Sequence, residues 1–360
     1  MIFDFEDLRL AWKAESRGKR SLPNQQRYRY RLEENLFALA ERLNSGAFEP
    51  TPLRLKRIYY PKRRQAQVPS QEDKIVQHAI ADEHAYYPMV APLIKEASAN
   101  TRGRGTDYGV KELQEQLRRF WNRHHKQPWI LKCDIHHFFY SIPHGRANAL
   151  IDRYIKDEAI SAIMKKFVAL TGRGLPLGLQ QSQLLANLYL SDLDHKIKER
   201  LGFTFYGRHM DDFYILAETE AELRKALDWI REYVASIGLE LNPKTAILYK
   251  SFDYLGYCFT LGDTGKVIVR LSKTKVQAKR RHLRRMARQL ETGQITAEKF
   301  AASYFGWRQH AMKAKNARTQ VLNIDQYTNS LLNTIGYALT VAKVNKGKVH
   351  WRVIVAPKEV

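Results

Sequence analysis

Cysteine is nearly absent from these 360 residues: there are two, Cys133 and Cys258, and they have no metal-ligand spacing. Both read as reduced core residues, which leaves no disulfide framework or zinc motif to organise the chain. Long apolar runs are missing as well. None approaches the roughly 20 residues that a membrane-spanning helix needs, and the opening MIFDFEDLRLAWK has neither the basic start nor the apolar centre of a secretory signal. A cytoplasmic protein with no membrane partner is the expectation. The chain shows no internal repeat and no low-complexity linker between independent domains. Acidic residues are in deficit: 37 stand against 60 Lys and Arg, for a formal charge of +23. An excess of that size points to a polyanion, nucleic acid above all. The 44% hydrophobic content is enough for a sizeable core split over two or three subdomains.

Residues 1–50 are polar and read mostly as helix, with Leu32, Leu36, Leu39, Ala40 and Leu43 at helical spacing. LRLKRIYYPKRRQAQV alternates apolar and basic residues and suggests a basic hairpin. DKIVQHAIADEHAYYPMVAPLI is predicted to be a helix broken at Pro88 and Pro92. WILKCDIHHFFYSI, residues 129–142, is a β-rich run followed by a new helix, and GLPLGLQQSQLLANLYLSDLDHKIKERLG is a Gly/Pro loop feeding a long helix. FTFYGR and FYILAE read as two strands around a tight turn. ETEAELRKALDWIREYVASIGLELN gives an amphipathic helix and then a strand, and FDYLGYCF is strand-like. From about residue 270 the chain turns intensely basic and helical. This order describes an α+β domain with appendages.

Asp211 and Asp212 stand side by side at the turn of RHMDDF, and Asp134 lies in LKCDIHHFF among Ile130, Leu131, Ile135, Phe138 and Phe139. Adjacent anions repel, and burying either is costly unless something positive sits against it. If the hairpin pairs beside the first strand, the three carboxylates converge at one edge of one sheet. Hard divalent ions such as Mg2+ take oxygen ligands, typically a few carboxylates plus substrate phosphates. A pair of such ions serves in-line phosphoryl displacement. His136 and His137 are expected on opposite faces of a strand, which argues against a shared zinc site.

In order and over nearly the whole chain, these segments resemble a reverse transcriptase. CDIHHFFYSI is similar to that family's first catalytic motif, and GLPLGLQQSQLLANLYL to the loop and helix that hold template and incoming base. RHMDDF is similar to its aromatic-x-Asp-Asp turn, LNPKT to a later lysine motif, and FDYLGYCF to the hairpin that grips the primer. The resemblance implies an α+β right-hand polymerase. Its N-terminal region and fingers would span 1–120, a palm of antiparallel sheet and helices 121–260, and a helical basic thumb 261–360. No RNase H domain is expected. Two Mg2+ ions, with Mn2+ as a substitute, would be held by Asp134, Ile135, Asp211 and Asp212, and Lys244 would protonate the departing pyrophosphate. Phe139 would close on the sugar 2′ position. Leu177, Gly178, Ser182 and Gln183 would lie near the nascent base pair, the glycine letting backbone approach it closely.

By the same resemblance, Lys62 and Arg64 on the basic hairpin would meet the triphosphate of an incoming nucleotide. Arg102 and Arg104 in NTRGRGTDYG would touch the template backbone, since that stretch lacks the Gly-Lys-Ser/Thr ending of a nucleotide-binding loop. KTKVQAKRRHLRRMARQL contains no acid, so Lys279, Arg280, Arg281, Arg284 and Arg285 are expected to track an RNA/DNA hybrid in a salt-sensitive way. Leu177-Gly178 and Ser182-Gln183 stand where most of the family has Gln-Gly and Ser-Pro. That departure resembles the enzymes of diversity-generating retroelements, which copy a template RNA with errors, chiefly at adenines. His209 replaces the usual tyrosine with a group that titrates near neutral pH when unperturbed. The partners implied are template RNA, RNA/DNA hybrid and dNTPs, together with a small basic accessory protein or a dedicated noncoding RNA. An antiviral-defence reverse transcriptase is the sibling alternative. A non-catalytic nucleic-acid-binding protein is the alternative class, against which three carboxylates facing a polyanion argue.

Overall fold

The computed structural model describes residues 3–58, 64–314, 316–346 and 348–357. By internal contacts the chain forms two units, one made of Met1–Leu113 and Trp129–Ile247, the other of Gln114–Pro128 and Leu248–Val360.

The first unit opens with α1 (Phe5–Glu15), started by a capping box in which Asp4 accepts the Asp7 N–H and Asp7 reaches back to the Asp4 N–H. Two more helices, α2 (Pro23–Tyr30) and α3 (Leu32–Asn44), follow, so the helical reading of residues 1–50 holds. β1 (Arg54–Ile58) and β2 (Arg64–Val68) pair antiparallel as the expected hairpin, Arg54 opposite Val68. Next come α4 (Gln71–Ala79), a π-helical stretch over Ile80–Ala85, and α5 (Tyr86–Val90). Pro88 therefore does not break the helix. It follows directly on the π-helical stretch inside a run that stays helical from Gln71 to Val90, and the chain leaves the helix only ahead of Pro92. α6 (Thr106–His124) leads from the first unit into the second.

β3 (Trp129–Cys133) is shorter than the β-rich run suggested, because Ile135 bridges Leu241 and His137 turns the chain at φ +47° into α7 (Phe138–Ser141). Tertiary pairing overrides strand propensity there. Then follow α8 (His144–Tyr154), α9 (Glu158–Val168), α10 (Gln180–Tyr189) and α11 (Ser191–His195), so the expected long helix is interrupted at Leu190. β4 (Tyr206–His209) and β5 (Asp212–Ala217) form the expected hairpin, α12 (Glu220–Ser236) covers it, and β6 (Ala246–Tyr249) completes a sheet of order β4-β5-β3-β6. The segment after α12 contributes a single bridge at Leu241 in place of the expected strand. Leu131, Cys133, Phe213 and Ile215 on the sheet pack with Ile151, Leu184 and Ile230 in one apolar core. Burial there pushes the Cys133 thiol up to about 12, so it stays protonated.

In the second unit β7 (Ser251–Tyr254), β8 (Tyr257–Leu261) and β9 (Val267–Leu271) form an antiparallel meander. α13 (Lys273–Glu291), α14 (Ala297–Ala311) and α15 (Arg318–Asn333) follow, and the chain closes with a hairpin, β10 (Tyr337–Lys346) and β11 (Lys348–Pro357), where continued helix was expected. No helix among the described residues is long and apolar enough to cross a membrane.

α13 corrects one expectation about its basic face. Lys279 is only 4% exposed, whereas Arg280, Arg281, Arg284 and Arg285 are exposed. The reason is helical spacing: residues 279, 283, 286 and 290 share a stripe with buried Leu283, Met286 and Leu290. The Lys279 ammonium lies 5.3 Å and 5.0 Å from the ring centroids of Tyr304 and Trp307, contacts that offset part of the burial cost. Among the described residues no carboxylate pairs with it, and burial depresses its pKa to about 8. An unfolded chain then binds more protons than the folded one between about pH 8 and the ordinary lysine value of 10.5. Stability of this unit is expected to rise with pH across that window. Lys279→Met is expected to be more stable than wild type at pH 7 and to lack the rise, which urea unfolding at several pH values measures.

Candidate active site

The β4–β5 hairpin turns in two residues, Met210 and Asp211, with His209 paired opposite Asp212. Met210 takes φ +59°, a left-handed conformation that costs a non-glycine residue roughly 1 to 3 kcal/mol and persists only where surroundings enforce it. The enforcing group is Arg208, at 0% exposure. Its Nε and Nη2 grip Asp194 at 2.7 and 2.5 Å. Nη1 donates to Asn187 Oδ1 at 2.8 Å and to the Met210 carbonyl at 3.0 Å, and Nη2 donates to the Asn187 carbonyl at 3.1 Å. Tyr206 donates its hydroxyl to the same Asp194. All five guanidinium N–H groups are thus engaged, one of them on the turn itself. His209 shares a hydrogen bond of 2.9 Å between Nδ1 and Ser98 Oγ. Burial and the neighbouring Arg208 charge lower its pKa below the ordinary histidine value, which favours the neutral imidazole.

The three carboxylates meet different fates. Lys132 is opposite Tyr214 and Cys133 opposite Phe213, so one more step of register sets Asp134 level with Asp212. Asp212 is ion-paired with Lys132, which lies two residues before Asp134 and so on the same face of the sheet. Among the described residues Asp211 has no such ion pair. Burial above all, and then the charge of Asp134, raise its pKa, while the charges of Lys132 and Arg208 act the other way. Asp134 accepts a hydrogen bond from Asn242 Nδ2 at 2.9 Å. Among the described residues no group of three His, Cys, Asp or Glu side chains closes around a single point. The donor set nonetheless fits a hard divalent cation, since Asp134 and Asp211 are oxygen donors whose mutual repulsion such an ion relieves. The main chain of Ile135 bridges Leu241 through its neighbours' hydrogen bonds, so its own N–H and C=O point away from that segment.

Around the turn, the other expected residues divide. Gly174 (φ +74°) and Gly178 (φ +97°) are close-approach glycines: a Cβ would stand 2.5 Å from the Phe139 carbonyl oxygen and 2.6 Å from that of Gln67, respectively. They seat the 170–180 loop against α7 and β2, where Leu177 N–H also donates to Gln67 Oε1 at 2.7 Å. Phe139 is half-buried, and its carbonyl accepts the Leu175 N–H at 2.6 Å. Ser182, expected beside a base pair, is instead buried on the core side of α10, while Gln183 lines an open cavity. Successive helical residues point about 100° apart, which separates the two. That cavity, of about 590 Å3, is also lined by Arg102, Arg104, Asn100, His209 and Met210. Arg102 lies 4.4 Å from the Tyr86 ring centroid and pairs with Asp82 at 2.9 Å. Arg104 holds the carbonyls of Ile94 and Ala97 at 2.9 and 3.2 Å. Lys244 is exposed. Lys62 and the side chain of Arg64 lie outside the described residues. The arginines of α13 belong to the second unit. His136 and His137 are not on a strand at all, and their ring centroids lie 4.1 Å apart.

Residues 60–259, more than half of the chain, match the family described as reverse transcriptase (RNA-dependent DNA polymerase). The chain belongs to the reverse transcriptase family. Among its relatives, Retron Ec86 reverse transcriptase of Escherichia coli is 30% identical over 32% of this chain and 37% of its own length. Group II intron-encoded protein LtrA of Lactococcus lactis subsp. cremoris is 28% identical over 45% and 28%, respectively. Protein YkfC of Escherichia coli K12 is 25% identical over 47% of each. The chain thus spans less than half the length of each of these relatives. A solved telomerase from Candida albicans in complex with a fragment of telomeric RNA aligns over 80% of this chain and 62% of its own at 10% identity, with a TM-score of 0.45.

Within this reverse transcriptase domain, three residues at the site escape a motif-based reading. Arg208 has a signal in hindsight, a lone charge inside the apolar run FTFYGRHM. Lys132 shares strand parity with Asp134 but gives no hint of choosing Asp212. Asn242 precedes a proline and a lysine, as a turn residue would, with nothing local to announce its reach to Asp134. Arg208→Ala is expected to destabilise the first unit by about 3 to 5 kcal/mol, the cost of leaving a buried partner charge uncompensated. The double variant with Asp194→Ala should recover part of that loss. Urea unfolding of the single and double variants measures the coupling.

Proposed function

We propose that this chain is an RNA-directed DNA polymerase that adds dNTPs to a primer on an RNA template. The observation that carries the reading is the approach of Asp134 and Asp211, from distant segments, at the β3–β5 edge, where burial and the Asp134 charge raise the Asp211 pKa. Asp134, Asp211, Asp212 and the Ile135 carbonyl would hold Mg2+, or Mn2+ in its place, with Asp212 the weakest donor while Lys132 sits on it. Such ions supply Lewis-acid polarisation of phosphoryl oxygens and a lowered pKa for an attacking hydroxyl. In the reaction the primer 3′-oxygen bonds to the α-phosphorus, the bond to pyrophosphate breaks, and the exposed Lys244 gives the leaving group its proton. Phe139 stands beside the loop that Gly174 seats, in position to close on the sugar. Arg102 and Gln183 present donors to a template strand from the cavity beside the turn. The exposed arginines of α13 bind the duplex backbone.

The finer reading is low-fidelity copying of the kind found in diversity-generating retroelements, with template RNA, RNA/DNA hybrid and an accessory protein or noncoding RNA as partners. Its support is Leu177, an apolar side chain beside Gly178 that can form no hydrogen bond to sugar or base.

Asp211→Asn is expected to lower nucleotide addition on an RNA template by roughly 100- to 1,000-fold, with RNA binding retained. Primer extension measures it, and activity within tenfold of wild type would count against the site. The stability effect has the opposite sign. A carboxyl whose folded pKa is raised loses stability as pH rises through that value. The Asn variant without metal should therefore melt at or above wild type at pH 7, and the difference should vanish well below the ordinary value of 3.8.

Fidelity gives a separate test. The wild type is expected to misincorporate readily, most of all opposite template adenine, and Leu177→Gln to lower that error, with each ~1.4 kcal/mol of regained discrimination worth about tenfold. Single-nucleotide extension with correct and incorrect dNTPs decides. Equal error in the two proteins would move the reading to a defence-associated enzyme working with a noncoding RNA.

A further inference from the structure

The LNPKT segment meets Asp134 through a residue other than its lysine. Asn242 N–H donates to the Asp134 carbonyl at 2.7 Å, its Nδ2 donates to Asp134 Oδ2 at 2.9 Å, and its Oδ1 accepts the Lys244 N–H at 3.0 Å. The amide has one chemically consistent orientation, because a carboxylate needs a donor and a backbone N–H needs an acceptor. Flipping it would break both bonds at once. The segment itself is held by main chain: Ile135 bridges Leu241, and His136 N–H donates to the Glu240 carbonyl at 2.8 Å. The side chain of Asn242 therefore adds direction to a segment already in place.

That direction matters for Asp134. The terminal torsion of an aspartate is broad, and repulsion from Asp211 favours swinging the carboxylate away. A donor on Oδ2 stops that rotor. Among the described residues nothing bonds Oδ1, which stays open. A neutral amide does this without cancelling the charge, whereas the lysine on Asp212 forms an ion pair that competes with any cation.

We infer that Asn242 is a positioning residue that orients the Asp134 carboxylate toward a divalent cation and, through the same amide, shapes the turn that presents Lys244. This rests on the polymerase reading. Asn242→Ser separates the two contacts, since a hydroxyl still accepts the Lys244 N–H but falls short of Asp134. Asn242→Ala removes both. Mn2+ binding to the full chain without nucleic acid, followed by electron paramagnetic resonance, is compared with kcat and KM for single-nucleotide addition and with thermal melting. The Ser variant is expected to melt with wild type while Mn2+ affinity and kcat fall together by roughly 10- to 100-fold and KM for the nucleotide holds. Wild-type Mn2+ affinity in the Ser variant overturns the inference, as does a fall in melting temperature alone in both variants, and so does a wild-type chain that binds no Mn2+. A wild type that binds Mn2+ but extends no primer sinks the polymerase reading, and the Mn2+ comparison still decides the role of Asn242.

Discussion

The fork of Arg208 is the constraint on which the candidate site depends. A guanidinium excluded from water is tolerable only if its charge and all its donors are met, and Asp194, Asn187 and the Met210 carbonyl together meet them. The last of these ties a buried ion pair to a half-buried turn. Met210 is thereby held in a left-handed conformation it would not choose, and Asp211 next to it is presented at a fixed place on the sheet edge. Because the partners come from α10 and α11, the turn is indexed to the helical layer behind the sheet as well as to its own hairpin. The edge of β4 adds to this, with Ser98 N–H donating to the Arg208 carbonyl at 2.9 Å.

Against that rigid frame the three carboxylates are balanced unequally. Asp212 is neutralised by Lys132, Asp134 is turned by a neutral amide, and Asp211 is left half-buried beside another anion. Two adjacent acids in a tight turn are therefore accommodated differently, Asp212 through an internal counter-charge and Asp211 through a raised pKa.

The second unit handles charge by a different rule. α13 sorts its basic residues by helical angle: five arginines face out, and Lys279 shares the stripe that packs against α14. A run of bases with no acid in it looks uniform in one dimension, and only the 3.6-residue period separates residues that reach a partner from one that fills a core.

Much was legible in the primary structure because its signals are local. The DD turn between two strands, the basic hairpin and the N-terminal helices depend on neighbours within a few residues, and each folds where its pattern places it. Tertiary structure decided what neighbours in space impose: that β3 stops at Cys133, that Ser182 turns inward while Gln183 faces a cavity, that the pKa of His209 falls, and that Lys132, Arg208 and Asn242 are the partners of the motif residues. Partner choice and protonation depend on distance and burial, which are properties of the folded chain, and no spacing along the sequence encodes them.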